Sequence, residues 1–296
     1  MPPNDPITPI VPIIPDDGIT VITPNAVVDG TSTPTEGGAM IIAICNQKGG
    51  VGKTAVATEL ARHLTLEGRK VLLVDMDPQA SATSILGVDR TDDDTPTIFD
   101  LLGSDPPARQ TILDAALPAA ADWGPIACLP AERALADVES DSTIGREMRL
   151  RHILTEIEDA YDDAVIDCPP ALGVLTANAL VAASRALLVT EPRVESAQAL
   201  AQALQTIANV KAYYNPNLLP AGILINRLRG GRRDQAQWVQ QIREIYRDLV
   251  LEVQILEREA LARGASDSIP VDRIPGTAEI AERLDSLART LLKGQK

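Results

Sequence analysis

Seven consecutive residues, Lys48-Gly-Gly-Val-Gly-Lys-Thr54, concentrate the chemistry of this chain. They follow the apolar run Ile41-Ile-Ala-Ile-Cys45 and lead into a helical pattern that opens at Lys53. Glycines there let backbone N–H groups converge on an anion, and the positive end of the helix adds to the attraction. Lys53 then reaches β- and γ-phosphates, and the Thr54 hydroxyl takes a place on Mg²⁺. The common spacing puts a glycine five residues before Gly52, where Gln47 stands; a second lysine, Lys48, opens the loop instead. A tight turn without a ligand has no use for three glycines and two lysines. Asp167 ends a second apolar run, Ala164-Val-Ile-Asp167, and Cys168-Pro-Pro170 follows. A carboxylate after such a run is inexpensive only beside a metal or a strong hydrogen-bond set. Holding Mg²⁺ through water fits Asp167, with a buried structural aspartate as the alternative.

These residues need a frame that brings strand ends and a helix start together. From Met40 onward, short apolar runs alternate with amphipathic stretches. Strands are expected at 40–45, 71–75, 126–129, 164–167, 186–190, 222–226 and 251–255. Helices are expected at 53–66, 145–160, 175–183, 196–213, 234–248 and 277–292. Near-continuous apolar strands separated by helices predict an α/β fold, a doubly wound, mostly parallel sheet with helices on both faces. Residues 89–125 read as a surface excursion around one short helix at 97–102. Residues 1–39 differ: they hold eight of the 22 prolines, five acidic residues and no Lys or Arg. We expect there a disordered Pro-rich arm, or a stretch upstream of a true start at Met40. A docking arm using Ile10, Val11, Ile13 and Ile14 is the sharper alternative. Residues 40–296 then form one domain.

Composition narrows the function. The 296 residues carry 27 Lys and Arg against 41 Asp and Glu, a net charge of −14, which excludes a wholly basic nucleic-acid coat protein. One Phe, two Trp and four Tyr leave few rings on which single-stranded bases could stack. Three cysteines without paired spacing argue against a disulfide framework, and only Cys128 lies where an iron–sulfur ligand would be needed. No apolar run is long enough to span a bilayer, and no secretion signal opens the chain. A cytoplasmic protein is the expectation.

The loop Lys48–Thr54 resembles the deviant Walker A loop of the ParA/MinD group of P-loop ATPases. The likeness continues at Val74-Asp-Met-Asp-Pro-Gln-Ala-Ser81, Thr97-Ile-Phe-Asp-Leu-Leu102, Gly145-Arg-Glu-Met-Arg-Leu150, Ile166-Asp-Cys-Pro-Pro-Ala-Leu-Gly173 and Leu175-Thr-Ala-Asn-Ala-Leu180. It is closest to ParA-type DNA-partition ATPases. The resemblance implies a P-loop NTPase fold, ATP and Mg²⁺, and a homodimer that sandwiches the nucleotide. Lys48 matches the signature lysine that contacts the nucleotide held by the other subunit. Gly49, Gly50, Val51, Gly52, Lys53, Thr54 and Ala55 match the nucleotide cradle, with Lys48, Lys53 and Asp77 in the hydrolytic step. Asp77 would position the attacking water, or merely cap the turn after Pro78; Asp75 would be structural. Asp167 matches the residue that holds Mg²⁺ through water. Asn226 would face the adenine edge or cap a loop. Leu256 stands where the family usually has Pro.

Function, by this resemblance, is partition of DNA: the ATP-bound dimer binds double-stranded DNA nonspecifically, associates with the nucleoid, and lets go when a ParB-like centromere-binding protein stimulates hydrolysis. A ParA-like positioning ATPase for a non-DNA protein cargo is the alternative. Arg227, Arg229, Arg232 and Arg233, clustered around Gly230-Gly231, supply a patch that can neutralise phosphates without reading bases. A solvated loop offset by nearby acids is the plainer reading. A MinD-like membrane helix is not expected, because Ile280, Leu284, Leu287 and Leu291 repeat as a core-facing stripe among Glu279, Glu282 and Asp285.

Overall fold

The computed structural model describes residues 39–90, 95–103, 105–229, 232–257 and 264–293. The expected arm, Ala39 apart, lies outside the described residues, as does Gly230-Gly231. Eight strands form one sheet: β1 (Met40–Cys45), β2 (Val71–Asp75), β3 (Leu117–Pro118), β4 (Ile126–Leu129), β5 (Asp163–Asp167), β6 (Arg185–Thr190), β7 (Leu219–Leu228) and β8 (Val250–Leu256). Their order is β3-β4-β2-β5-β1-β6-β7-β8. Every neighbouring pair is parallel except β3–β4, which is antiparallel.

The strands read as continuous apolar runs because both faces are covered. Along β1, Ala43 and Cys45 face one core while Met40, Ile42 and Ile44 face the other. Leu72 and Val74 of β2 alternate with Val71 and Leu73 in the same way. One layer contains helix α1 (Lys53–Leu66), the short α2 (Ser81–Ile85) and the last helix, α9 (Ala278–Lys293). The stripe Ile280, Leu284, Leu287 and Leu291 of α9 is buried in that layer, and no described helix is long and apolar enough to cross a membrane. The opposite layer contains α3 (Ile98–Leu101), α4 (Arg109–Ala115), α5 (Arg149–Glu156), α6 (Val174–Ala182), α7 (Ser196–Tyr213) and α8 (Arg233–Tyr246).

Residues 89–125 depart from the expected surface excursion. Besides α3, capped by Thr97 and Asp100, the segment supplies α4, the edge strand β3 and a 3-10 turn at Ala121–Trp123. Ile98, Ile112, Ala115 and Trp123 are fully buried, and the Trp123 indole donates to the Ser268 carbonyl. Prolines break its periodicity in sequence, whereas its burial is set by contacts far along the chain. The helix expected over 145–160 is a 3-10 turn, Arg146–Met148, followed by α5.

From β1 the chain crosses one way through β2 and β4, and later the other way through β6, β7 and β8. The order reverses beside β1, so the loops at its carboxyl end open a crevice there. The 48–54 loop sits at that point.

Candidate active site

The turn after β1 is shaped by two glycines in left-handed backbone, Gly50 at φ 77° and Gly52 at φ 87°. Gly52 caps α1, and a Cβ there would stand 2.4 Å from the Asn226 amide nitrogen. Two asparagines pin the turn to the sheet. Asn46 donates to the Val189 carbonyl of β6 at 2.7 Å and accepts from the Lys48 N–H at 3.2 Å. Asn226, at the exit of β7, donates to the Val51 carbonyl at 2.8 Å. Asn226 therefore lies at the loop with its amide nitrogen turned to the loop backbone. Sequence reasoning missed Asn46, whose partner is 143 residues away. Lys53 is buried, and its ammonium reaches back to the Lys48 carbonyl at 3.4 Å. Around this turn lies a cavity of about 880 Å³, lined by the loop and also by Asp77, Asn226, Ile255 and Glu257.

Three carboxylates approach the loop from neighbouring strand ends, and each has a different state. Asp75 is fully engaged: it accepts from the Thr83 N–H and hydroxyl, both at 2.8 Å, and from the Asp77 N–H at 3.1 Å. Burial nevertheless pushes its pKa up to about 6, with the Thr83 donors opposing. Asp75 anchors the β2–α2 turn. Asp77 is half-buried, accepts from the Gln79 N–H at 3.0 Å and faces the cavity, so it both holds its turn and presents a carboxylate.

Asp167 is the exception. It pairs in register with Ile44 of β1 and Asp75 of β2, and neither of its buried oxygens has a hydrogen-bond partner. Burial, then the Asp75 carboxylate, drive its pKa well above the usual carboxylate range, against the pull of the Thr54 hydroxyl and the Lys53 charge. A buried carboxylate with no full hydrogen bond, only the Thr54 hydroxyl nearby, is costly unless a cation completes it. Among the described residues no three His, Cys, Asp or Glu side chains gather to form a self-sufficient metal site. That donor set suits Mg²⁺, which keeps waters and shares phosphate oxygens, and does not suit a metal held by protein alone. The nearby thiols take no part: Cys45, Cys128 and Cys168 are buried and free, and burial raises the Cys45 thiol to about 12.

The cations sort unexpectedly. Lys48 stands at the loop mouth in an ion pair with Glu195 at 2.9 Å. Arg227 pairs with the nearly buried Glu191 at 3.2 Å, and Arg229 with Glu257; both arginines line the cavity. Arg232 and Arg233 are exposed at the start of α8. Of the four clustered arginines, all exposed, two line the cavity and two stand at the start of α8.

A family model described as an AAA domain matches residues 39–219. The sporulation initiation inhibitor protein Soj of Bacillus subtilis is 33% identical over 231 residues, 78% of this chain and 89% of that protein. The chromosome partitioning protein ParA of Myxococcus xanthus is 36% identical over 255 residues, 86% and 88% of the two chains. Among solved structures, cobyrinic acid a,c-diamide synthase of Mycobacterium smegmatis, with bound ATP analog and magnesium, superposes with a TM-score of 0.74 at 30% identity, covering 87% of this chain and 96% of that one. The matched model spans well over half of the chain and includes the whole phosphate loop and Asp167. The chain belongs to this AAA-domain family, in its ParA/Soj branch of partition ATPases.

Proposed function

We propose that this chain binds Mg-ATP in the cavity around residues 48–54, dimerises about it, and couples slow hydrolysis to the hold on and release of DNA during partition. The observation that carries the reading is Asp167: two buried oxygens without partners, beside a loop whose amides, Lys53 and Thr54 suit phosphate. Gly49 to Ala55 would cradle the phosphates, Lys53 would neutralise the terminal ones, and Thr54 with Asp167 (through water) would hold Mg²⁺. When bound, that ion screens the charge that develops on the transferring phosphoryl group. Asp77 would orient the attacking water; the loose transition state needs a water in line more than a strong base. Lys48, released from Glu195, would cross to the nucleotide of a second copy, which makes the complete site a property of the dimer.

The exposed pair Arg232 and Arg233 would bind duplex DNA through phosphates alone. Hydrolysis, stimulated by a basic centromere-binding protein of the ParB kind, would then separate the dimer and end the contact. This sequence of events takes place on the nucleoid.

Two variants test the assignment together. Lys53→Ala should bind no ATP by calorimetry, because the phosphates lose their nearest fixed cation. Asp77→Ala should bind Mg-ATP and dimerise as the parent does while turnover falls to background, since only transition-state positioning is lost. Wild-type ATP affinity in the first, or normal turnover in the second, contradicts the corresponding role.

A further inference from the structure

Arg227 stands apart from Arg229, Arg232 and Arg233 in its backbone. Its φ of 54° is left-handed, a conformation glycine adopts freely and a residue with a Cβ resists. The β7–β8 pairing slips between Ile225 and Leu228, so the chain turns out of regular register at this residue. A long cationic side chain at a position suited to glycine points to a use for what that side chain reaches.

It reaches the cavity. One guanidinium nitrogen, Nη1, bonds the Glu191 carboxylate at 3.2 Å; that carboxylate is only 6% exposed and pairs through its other oxygen with Arg193 at 2.7 Å. The Nε lies 3.7 Å from where a Cβ on Gly52 would stand, beside the Asn226 amide. Thr54 and Asp77 line the part of the cavity that suits the terminal phosphate and metal. Asn226 of β7 and Ile255 of β8 line it farther along, and Arg227 lies between these and Gly52 of the loop. A planar cation anchored along one edge can stack on an aromatic base and donate to a ribose oxygen.

We infer that Arg227 is a nucleotide-binding residue whose guanidinium contacts the base-and-ribose half of the nucleotide, and that Glu191 is the residue positioning it. The inference rests on the reading that the 48–54 loop binds a nucleotide. It removes Arg227 from the DNA-facing set.

The test uses Arg227→Gly, which keeps the left-handed backbone without strain and deletes only the side chain. Affinities for ADP and for Mg-ATP, measured by calorimetry on the full chain, should both fall by similar factors, roughly three- to thirtyfold for loss of one cation–π contact. Arg227→Lys should recover part of the loss. Glu191→Gln should weaken ADP binding less than Arg227→Gly does, and its effect should vanish in the Arg227→Gly background; a merely structural Glu191 would act in both. Unchanged ADP affinity in Arg227→Gly overturns the inference, whether or not DNA binding falls. A loss confined to ATP overturns the base-side placement. Failure of the unmodified protein to bind ADP or ATP would instead refute the underlying nucleotide reading.

Discussion

Asp167 sits where ordinary folding logic would put a valine: fully buried, on the central sheet, with neither oxygen bonded. The nucleotide-free protein therefore bears a cost that a cation would offset, and the cost can be separated from the function. Asp167→Asn keeps the shape, removes the repulsion from Asp75 and leaves a neutral group to bury. We expect the melting temperature without nucleotide to rise, by about 2–4 °C per kcal/mol relieved. The extra stabilisation that Mg²⁺ gives in the presence of ATP should disappear. Scanning fluorimetry with and without Mg-ATP checks both halves, and a lower melting temperature in the apo variant contradicts the first. This residue was legible in sequence because its signal is local: an acid that closes an apolar run. The same holds for Lys53 and the loop glycines. Asn46 and Glu195 were not legible, since their partners Val189 and Lys48 lie 143 and 147 residues away, and of Glu191's two partners Arg227 lies 36 residues away.

Helix α1 has two duties, and only one of them was visible beforehand. Its first turn lines the cavity around residues 48–54. Its middle carries Glu59, Arg62 and His63, spaced to share one helix face, and these hold the chain that follows β8. Glu59 accepts the Val271 N–H at 3.0 Å, Arg62 makes a two-point pair with Asp272, and His63 bonds Asp285 of α9. Amphipathic periodicity located α1 and α7 with their observed ends, but polar residues buried against distant segments carry no periodic signal. Burial raises Glu59 to about 8, aided by Asp272 and opposed by the Val271 N–H and Arg62. Below its ordinary value, near 4.5, Glu59 is protonated in both folded and unfolded chains, and its contribution is complete. As pH rises toward 8 the unfolded chain has released the proton that the folded chain retains, so stability falls and then levels off. The loss should be on the order of a few kcal/mol. Urea unfolding of the parent and of Glu59→Gln at pH 5 and pH 8.5 isolates it: the variant should lose less stability between the two. Equal losses would mean that Glu59 ionises in the folded protein as it does in the open chain.

At the scale of the whole molecule, the proposed hold on DNA must be reconciled with a net charge of −14. The sequence showed four arginines in seven residues, and chain proximity suggested a single patch. The fold divides them: β7 ends at Leu228 and α8 starts at Arg233, and of the four Arg227 and Arg229 line the cavity. Arg229 pairs with Glu257 and Arg227 shares Glu191 with Arg193, so acids offset their charge, whereas Arg232 and Arg233 are exposed beside the positive end of α8. Two cations per subunit make about four in a dimer, and each neutralised phosphate adds roughly −0.9 to the slope of log K against log salt. Replacing Arg232 and Arg233 together with Ala should thus flatten that slope by about 3–4 units and weaken binding alike on unrelated sequences. ATP should be required in the parent, since a monomer offers half the cations while its acidic surface still opposes approach. Nucleotide affinity should survive the double change, because the phosphate loop pairs with neither arginine. Fluorescence anisotropy of labelled duplexes over a salt series, with ATP, ADP or neither, measures all of this. A full slope in the double variant would move the DNA surface elsewhere. Absence of ATP-dependent binding in the parent would leave the two exposed arginines to a protein cargo, with the same switch driving a different load.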